Sequence, residues 1–372
     1  MKIVMVSNYL NHHQLPLCEA FLRLGAEFSF ISTEPLAEYR SRMGYRDLNR
    51  SCDFVINAYD SPQEMEKAET ACRACNVLIL GGYEPHYRWR IKQDCLVFVY
   101  SERLFKSRAG SLKNFLRLCK YLPRGHYSAE AWLLCSGAYT ARDYRLLGQY
   151  VGRAYKWGYF PEVKSYRIEQ LLAGKEPGTL LWVGRFLDWK HPEIAIAMAE
   201  RLQRDDIPFS LSMIGDGEMR EELEALVSEK NLGKSVRFLG TMPPDEVRTQ
   251  MERATVHLFT SDRGEGWGAV LNESMNSGCL VIANDEIGSA PYLIEDGVNG
   301  LLYHQGNTEQ LYRRLRDVLE NPDAYRPLAQ AAYETIRREW NADVAAERLL
   351  MLAEARAAGR DTPFAGGICS KA

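Results

Sequence analysis

Short, nearly continuous apolar runs recur along this chain, each followed by a stretch with helical spacing. In the first half the runs are residues 3–6, 28–31, 77–80, 96–100 and 132–135. Runs this short, with little polar alternation, predict strands buried on both faces, as in a parallel sheet covered by helices. Residues 15–24 read as the first covering helix. The pattern restarts near Gly178, with strands expected at 180–183, 209–214, 236–239, 256–260 and 280–283. Helices are expected at 192–202, up to about 230, from Pro243-Pro244, at 267–276, 308–319, 325–338 and 342–358. The fold class is therefore α/β, built from two doubly wound, Rossmann-like domains. A chain of 372 residues is long enough for two such cores.

The expected division is a first domain at 1–165, a second at 166–340, a closing helix at 341–358 and a flexible tail at 359–372. The stretch 158–178 reads as the linker. Charge supports two domains: residues 1–160 carry a net +7 and residues 161–372 a net −10, within an overall −3. That overall balance is too mild for wholesale nucleic-acid binding. No run approaches the roughly 20 apolar residues of a membrane span. Nine cysteines, scattered and odd in number, suit reduced thiols and a cytoplasmic protein better than a disulfide framework. The Met1 opening reads as a strand, not as a signal peptide.

Ligands of open α/β sheets bind at the carboxyl ends of the strands, so the strand-to-helix loops are where chemistry is expected. The most informative loop is Thr260-Ser261-Asp262-Arg263-Gly264-Glu265-Gly266-Trp267-Gly268-Ala269-Val270-Leu271-Asn272-Glu273. Its glycines allow close approach of a ligand to the backbone. A helix expected from Trp267 would offer free N–H groups to a phosphate and carry Glu273 about two turns in. Carboxylates at both ends of an anion site suit a diphosphate flanked by hydroxyl-bearing groups, as in a nucleotide-sugar. A second loop, Gly184-Arg185-Phe186-Leu187-Asp188-Trp189-Lys190, places two cations between a strand and a helix. Arg forks onto phosphate oxygens and Lys adds a point charge. Either pair alone reads as readily as ordinary surface; their joint occurrence favours a site.

These pieces resemble the family 4 retaining glycosyltransferases of the GT-B fold. The matching elements are Gly184-Arg185 with Lys190, Ile214-Gly215-Asp216-Gly217, Arg237-Phe238-Leu239-Gly240, the Glu265/Glu273 pair, residues 277–283, Gly288-Ser289 and residues 295–302. They fall in family order over about residues 178–320. The resemblance implies two domains facing each other across a cleft, with the C-terminal helix crossing back to the first domain. It implies that Arg185 and Lys190 bind the donor diphosphate, that Glu273 binds the ribose and that Glu265 orients the transferred sugar. Gly184, Gly266, Trp267, Gly268, Ala269 and Val270 would line the diphosphate, and Gly215, Phe238 and Leu239 the base.

The first half departs from the family pattern. Its first loop, residues 7–16, has no glycine where the family usually has a Gly-rich turn. Glu102 stands where many members place a histidine beside the reacting carbon, so it joins the catalytic candidates. Asn8, His12, His13 and Arg103 are the acceptor-side candidates. A single Cys72-x-x-Cys75 lacks the second pair that structural zinc needs. Gly233-Lys234-Ser235 lacks the first glycine of a P-loop. With no Asp-x-Asp pair, no metal site is expected and no cofactor, the nucleotide-sugar being a substrate.

One stretch stands apart. From Arg103 to Ser128 there are seven Lys and Arg (Arg103, Lys106, Arg108, Lys113, Arg117, Lys120, Arg124) and no Asp or Glu. Leu112, Phe115, Leu116, Cys119 and Leu122 follow helical spacing within it. Such a helix suits either an anionic membrane surface or ordinary packing on the sheet with a solvated basic face. The expectation is a metal-independent transferase of the hexosyl or N-acetylhexosaminyl type. It would move a sugar from a UDP-sugar, or second a GDP-sugar, to a glycan or lipid-linked acceptor, with peripheral contact at the inner membrane face. The alternatives are a sugar-nucleotide epimerase in the same fold and a non-catalytic nucleotide-sugar-binding protein.

Overall fold

The computed structural model describes residues 1–38, 46–81, 95–107, 111–122 and 131–372. It contains two compact units, one of residues 1–162 with 339–372 and one of residues 163–338. Arg108 and Arg124 of the basic stretch, and Gly82 after the 77–80 run, lie outside the described residues.

Among the described residues the first unit holds seven parallel strands: β1 (Lys2–Ser7), β2 (Glu27–Ser32), β3 (Val55–Asn57), β4 (Val77–Gly81), β5 (Leu96–Ser101), β6 (Trp132–Ser136) and β7 (Ala154–Trp157). Their order is β3-β2-β1-β4-β5-β6-β7. Described helices of this unit are α1 (Leu15–Arg23), α2 (Pro62–Ala74), α3 (Leu112–Tyr121) and α4 (Thr140–Leu146). The central strands are apolar on both faces, and Val6, Leu80, Val97 and Leu133 are fully buried. Sequence order reverses between β1 and β4, so the loops after these strands splay apart and leave a crevice.

The second unit repeats the plan. Its strands are β8 (Thr179–Val183), β9 (Ser210–Ile214), β10 (Val236–Gly240), β11 (Val256–Phe259), β12 (Leu280–Asn284) and β13 (Leu301–Tyr303). All are parallel, in the order β10-β9-β8-β11-β12-β13, with the reversal between β8 and β11. Its helices are α5 (Ile168–Ala173), α6 (Pro192–Arg204), α7 (Arg220–Glu229), α8 (Pro244–Arg253), α9 (Val270–Asn276), α10 (Ala290–Leu293), α11 (Thr308–Glu320) and α12 (Pro322–Arg338). A last helix, α13 (Ala342–Ala357), belongs to the first unit and lies against α1, where Arg23 pairs with Asp343 at 2.5 Å.

Three strands escaped the sequence reading: β3, β7 and β13. All three are sheet edges of three or four residues. Edge strands are covered less completely and need less apolar sequence, so Val-Ile-Asn and Ala-Tyr-Lys-Trp do not stand out. Residues 359–372, expected to be a flexible tail, are instead packed. Ile368, Cys369 and Ser370 are buried. Lys156 N–H donates to the Ser370 carbonyl at 2.8 Å, and Cys369 N–H to the Lys156 carbonyl at 2.8 Å. The tail pairs with the free edge of β7, a driving force that its small, polar composition does not display. The expected helix at 267–276 begins only at Val270. Gly268 at φ +83° breaks the run before it.

Candidate functional site

In the second unit the β8 and β11 strands are neighbours, with Leu180 opposite Val256 and Leu181 opposite His257. This pairing brings together two loops about seventy residues apart in sequence. Asp262 N–H donates to the Trp189 carbonyl at 3.0 Å. Thr260 Oγ1 donates to the carbonyls of Lys190 and His191 at 2.8 and 2.9 Å, while accepting from the Trp182 indole N–H at 2.8 Å. On this frame Lys190 Nζ forms an ion pair with the buried Glu265 carboxylate. Ser261 Oγ donates to the same oxygen of Glu265 at 3.1 Å. Arg185 is exposed on the same loop as Lys190, with no side-chain partner among the described residues.

Glycines make this convergence sterically feasible. A Cβ on Gly215 would lie 1.8 Å from the Gly184 carbonyl oxygen, and one on Gly217 would lie 2.5 Å from that of Phe186. The turn after β9 is thus pressed onto the backbone that carries Arg185. Gly184 closes the contact from the other side, its N–H donating to the Ile214 carbonyl at 3.0 Å. Nearby, Phe238 meets Phe186 edge to face at 5.9 Å, and the Arg220 guanidinium lies 4.8 Å from the Phe238 ring centroid. Leu239 is partly buried beside it.

Trp267 is fully buried, its indole N–H donating to Asn272 Oδ1 at 2.9 Å, so its side chain belongs to the core. Gly266 is buried, while Gly268, Ala269 and Val270 are partly exposed. Because α9 starts at Val270, Glu273 lies in its first turn rather than two turns in. Glu273 keeps some surface open to solvent. Desolvation still pushes its carboxyl up to about 7, against the lowering effect of Arg248 and Lys164. No hydrogen bond to that carboxylate is formed among the described residues. Behind it, His257 hydrogen-bonds Ser274 Oγ at 2.6 Å and ties α9 to β11. Burial, aided by Lys190, drives His257 down to about 3, so the ring is neutral.

The sequence reading missed His191. It has left-handed backbone, φ 50° and ψ 52°, between Lys190 and α6. Its Nδ1 contacts Glu193 at 2.9 Å and its Nε2 contacts Asp262 at 3.5 Å. These carboxylates, Asp262 first, raise it to about 10 and keep the imidazolium charged. Burial opposes ionisation of Asp262, yet the bonds from His191 and the Gly264 N–H hold it below its ordinary value. A positively charged ring thus bridges the two loops that carry Lys190 and Glu265.

The first unit has its own concavity at the β1/β4 crevice, about 530 Å³, lined by Asn8, His13, Gln14, Gly81, Tyr100, Glu102 and Tyr159 among others. Its floor is a polar chain. Gln14 Nε2 donates to Tyr100 OH at 2.5 Å, and Tyr100 OH meets Ser7 Oγ at 3.2 Å. A Cβ on Gly81 would approach both Ser7 Oγ and Tyr100 OH at 2.9 Å. At the rim Tyr159 OH donates to Glu102 Oε1 at 2.8 Å, and Lys106 Nζ bonds the other oxygen at 2.5 Å. His13 stacks on Tyr159 with centroids 4.5 Å apart, and His12 meets His13 edge-on at 5.1 Å. Arg103 is buried away from this pocket, its guanidinium 4.6 Å from the Tyr139 ring centroid. Tyr159 was not a sequence candidate, because it follows β7, a strand the apolar pattern did not reveal.

Comparison with known proteins shows what the chain is similar to. Residues 164–335 match the family model described as "Glycosyl transferases group 1". An uncharacterised glycosyltransferase of Methanocaldococcus jannaschii is 30% identical over 154 residues, 41% of this chain and 42% of the relative. The sulfoquinovosyl transferase SQD2 of Arabidopsis thaliana is 29% identical over 216 residues, 56% of this chain and 40% of the relative. The chain therefore spans less than half the length of these curated relatives. The crystal structure of Anabaena HepE in complex with UDP superposes with a TM-score of 0.69 at 15% identity, covering 96% of this chain and all of that one.

Proposed function

Residues 164–335 belong to the glycosyl transferases group 1 family and the chain has the GT-B fold; from this premise we propose that the protein transfers a sugar from a UDP-sugar to a hydroxyl of a glycan or lipid-linked acceptor. The observation that carries the reading is the Lys190–Glu265 ion pair formed between the loops after β8 and β11 at the strand-order reversal, with Arg185 on the first of these loops and Glu273 in the first turn of the helix that follows the second. UDP as the leaving nucleotide is supported by its presence in the HepE structure. Retention of configuration rests on the family resemblance.

In this reading the bond between the sugar C1 and the β-phosphate oxygen breaks, the acceptor oxygen bonds to C1, and the acceptor proton passes to the oxygen freed on the departing diphosphate. Negative charge grows on the leaving diphosphate. Arg185, exposed on its loop, forks onto it, and Lys190 turns from Glu265 toward it. Glu265, already held by Ser261, then accepts hydroxyl groups of the donor sugar. Glu273, desolvated and without a hydrogen-bond donor among the described residues, accepts from the ribose hydroxyls. These cations supply the charge stabilisation without a divalent metal. In the first unit Glu102, held by Tyr159 and Lys106, is the proposed acceptor-binding residue, with Asn8 and His13 in the same pocket.

The test is calorimetry of UDP, GDP and ADP against wild type and Arg185→Ala, with and without a divalent cation, followed by donor turnover. UDP binding that needs no metal and falls in the variant, with transfer reduced about 10²–10³-fold, is the expected result. Full transfer by Arg185→Ala sinks the assignment. Tight UDP-sugar binding without turnover over a broad acceptor screen would favour a binding protein instead.

A further inference from the structure

Helix α3 is built inside out. Among its ten residues none is buried. Its inner side is held by Leu118 and Tyr121, which pack on the core of the first unit. Asn114 Nδ2 donates to the Ser107 carbonyl at 2.9 Å, Arg117 Nη1 to the Leu104 carbonyl at 3.0 Å, and Gln149 Nε2 to the Tyr121 carbonyl at 2.8 Å. The apolar stripe found in the sequence faces the other way. Leu112, Phe115, Leu116 and Leu122 are 70%, 58%, 59% and 56% exposed, with the exposed Cys119 between them. At 100° per residue these five positions occupy an arc of about 120°. Lys113 and Lys120 are exposed along one border of that arc, and no acidic residue lies between Glu102 and Glu130. Ordinary packing of the apolar face on the sheet, one of the two sequence readings, is thereby excluded for this helix.

We propose that α3 docks the protein onto an anionic lipid bilayer, lying in the plane of the headgroups with Leu112, Phe115, Leu116 and Leu122 inserted. Charge decides the occupant: a stripe bordered by lysines, on a segment with no carboxylate from residue 103 to 129, is complementary to anionic headgroups. At ten residues the helix is about 15 Å long, half a hydrocarbon core, so it lies on the membrane rather than crossing it. Insertion of a short apolar face and attraction of a few lysines are each weak, and stable attachment uses both. The inference rests on the first unit alone and stands or falls independently of the donor site proposed above.

The experiment is flotation of the full chain with vesicles of phosphatidylcholine, with and without phosphatidylglycerol, at low and high salt. Wild type floats only with the anionic vesicles and is released by salt. Phe115→Ser with Leu116→Ser abolishes flotation. Lys113→Gln with Lys120→Gln lowers partitioning about 30-fold, the product of two lysines near an anionic surface. Because these positions are exposed, the variants keep the wild-type circular dichroism and UDP affinity, so loss of flotation is read as loss of docking. Failure of the wild type to float overturns the proposal, as does flotation that ignores the serine substitutions. A concentration-dependent dimer that the serine variants abolish, without flotation, would assign the stripe to a second copy and overturn it too.

Discussion

Glu273 is set apart from an ordinary glutamate by its environment. An ordinary glutamate titrates near 4.5; desolvation holds this one near 7. In the proposed donor site ribose hydroxyls donate to the ionised form, so nucleotide binding there would draw the proton off. Affinity is then expected to be about tenfold weaker at pH 6 than at pH 8. Calorimetry of UDP across this range checks it, and Glu273→Gln isolates the carboxyl from the titration of the diphosphate, because its profile lacks the Glu273 component. The same shift has a consequence for stability. A carboxyl raised on folding costs stability that appears as pH rises from about 4.5 through 7. Glu273→Gln is therefore expected to raise the stability of the free protein at pH 8, by about 1–3 kcal/mol, while weakening binding. A melt of both proteins at pH 5 and pH 8 reads the difference, which should shrink to about a quarter at the lower pH.

At the scale of elements, the loops after β8 and β11 hold one another. His191 bridges Glu193 on α6 and Asp262 after β11, and both bonds depend on its charge. Its pKa is raised from 6.5 to about 10, so its contribution is fully present below pH 6.5 and is lost as pH climbs through 10. His191→Gln is expected to lower the denaturant midpoint most at pH 6, with the gap to wild type closing toward pH 10. A gap independent of pH would mean that the ring acts by packing alone. The glycine contacts are less forgiving. Gly215→Ala places a Cβ on the Gly184 carbonyl at a φ of +135°. It is expected to destabilise the second unit by about 3–5 kcal/mol, read from urea unfolding. Retention of wild-type stability would mean that the β9 turn and the Arg185 loop separate without cost.

For the molecule as a whole, the first unit is discontinuous, closed by residues 339–372. Leu349, Leu352, Ile368 and Cys369 are buried there, and Arg356 covers the Trp132 ring at 3.9 Å. The second unit has a core of its own, from Ile168 through Tyr333. Truncation after residue 338 is therefore expected to abolish the cooperative unfolding of the first unit and to leave that of the second, with UDP binding retained. Differential calorimetry with and without UDP checks both halves of this statement; loss of both transitions would show that the second unit leans on the first.

What the sequence by itself determined is what local chemistry encodes. Buried parallel strands need continuous apolar runs, which is why the central strands and both units were legible. Glycines and cations at short spacing are what a phosphate-binding loop would need, so Arg185 and Lys190 taken jointly with Glu265 and Glu273 are legible as candidates, while their individual roles rest on the family resemblance. Tertiary structure alone decided the rest, because those features depend on neighbours distant in the chain. Strand order set Lys190 beside Glu265. The free edge of β7 ordered a tail whose composition suggests none, and the chain leaving β7 brought Tyr159 to Glu102. A ring charge on His191 follows from carboxylates supplied by two different loops. The apolar stripe of α3 has the same period whether it faces the core or the solvent; only the packing of Leu118 and Tyr121 on the other side turns it outward.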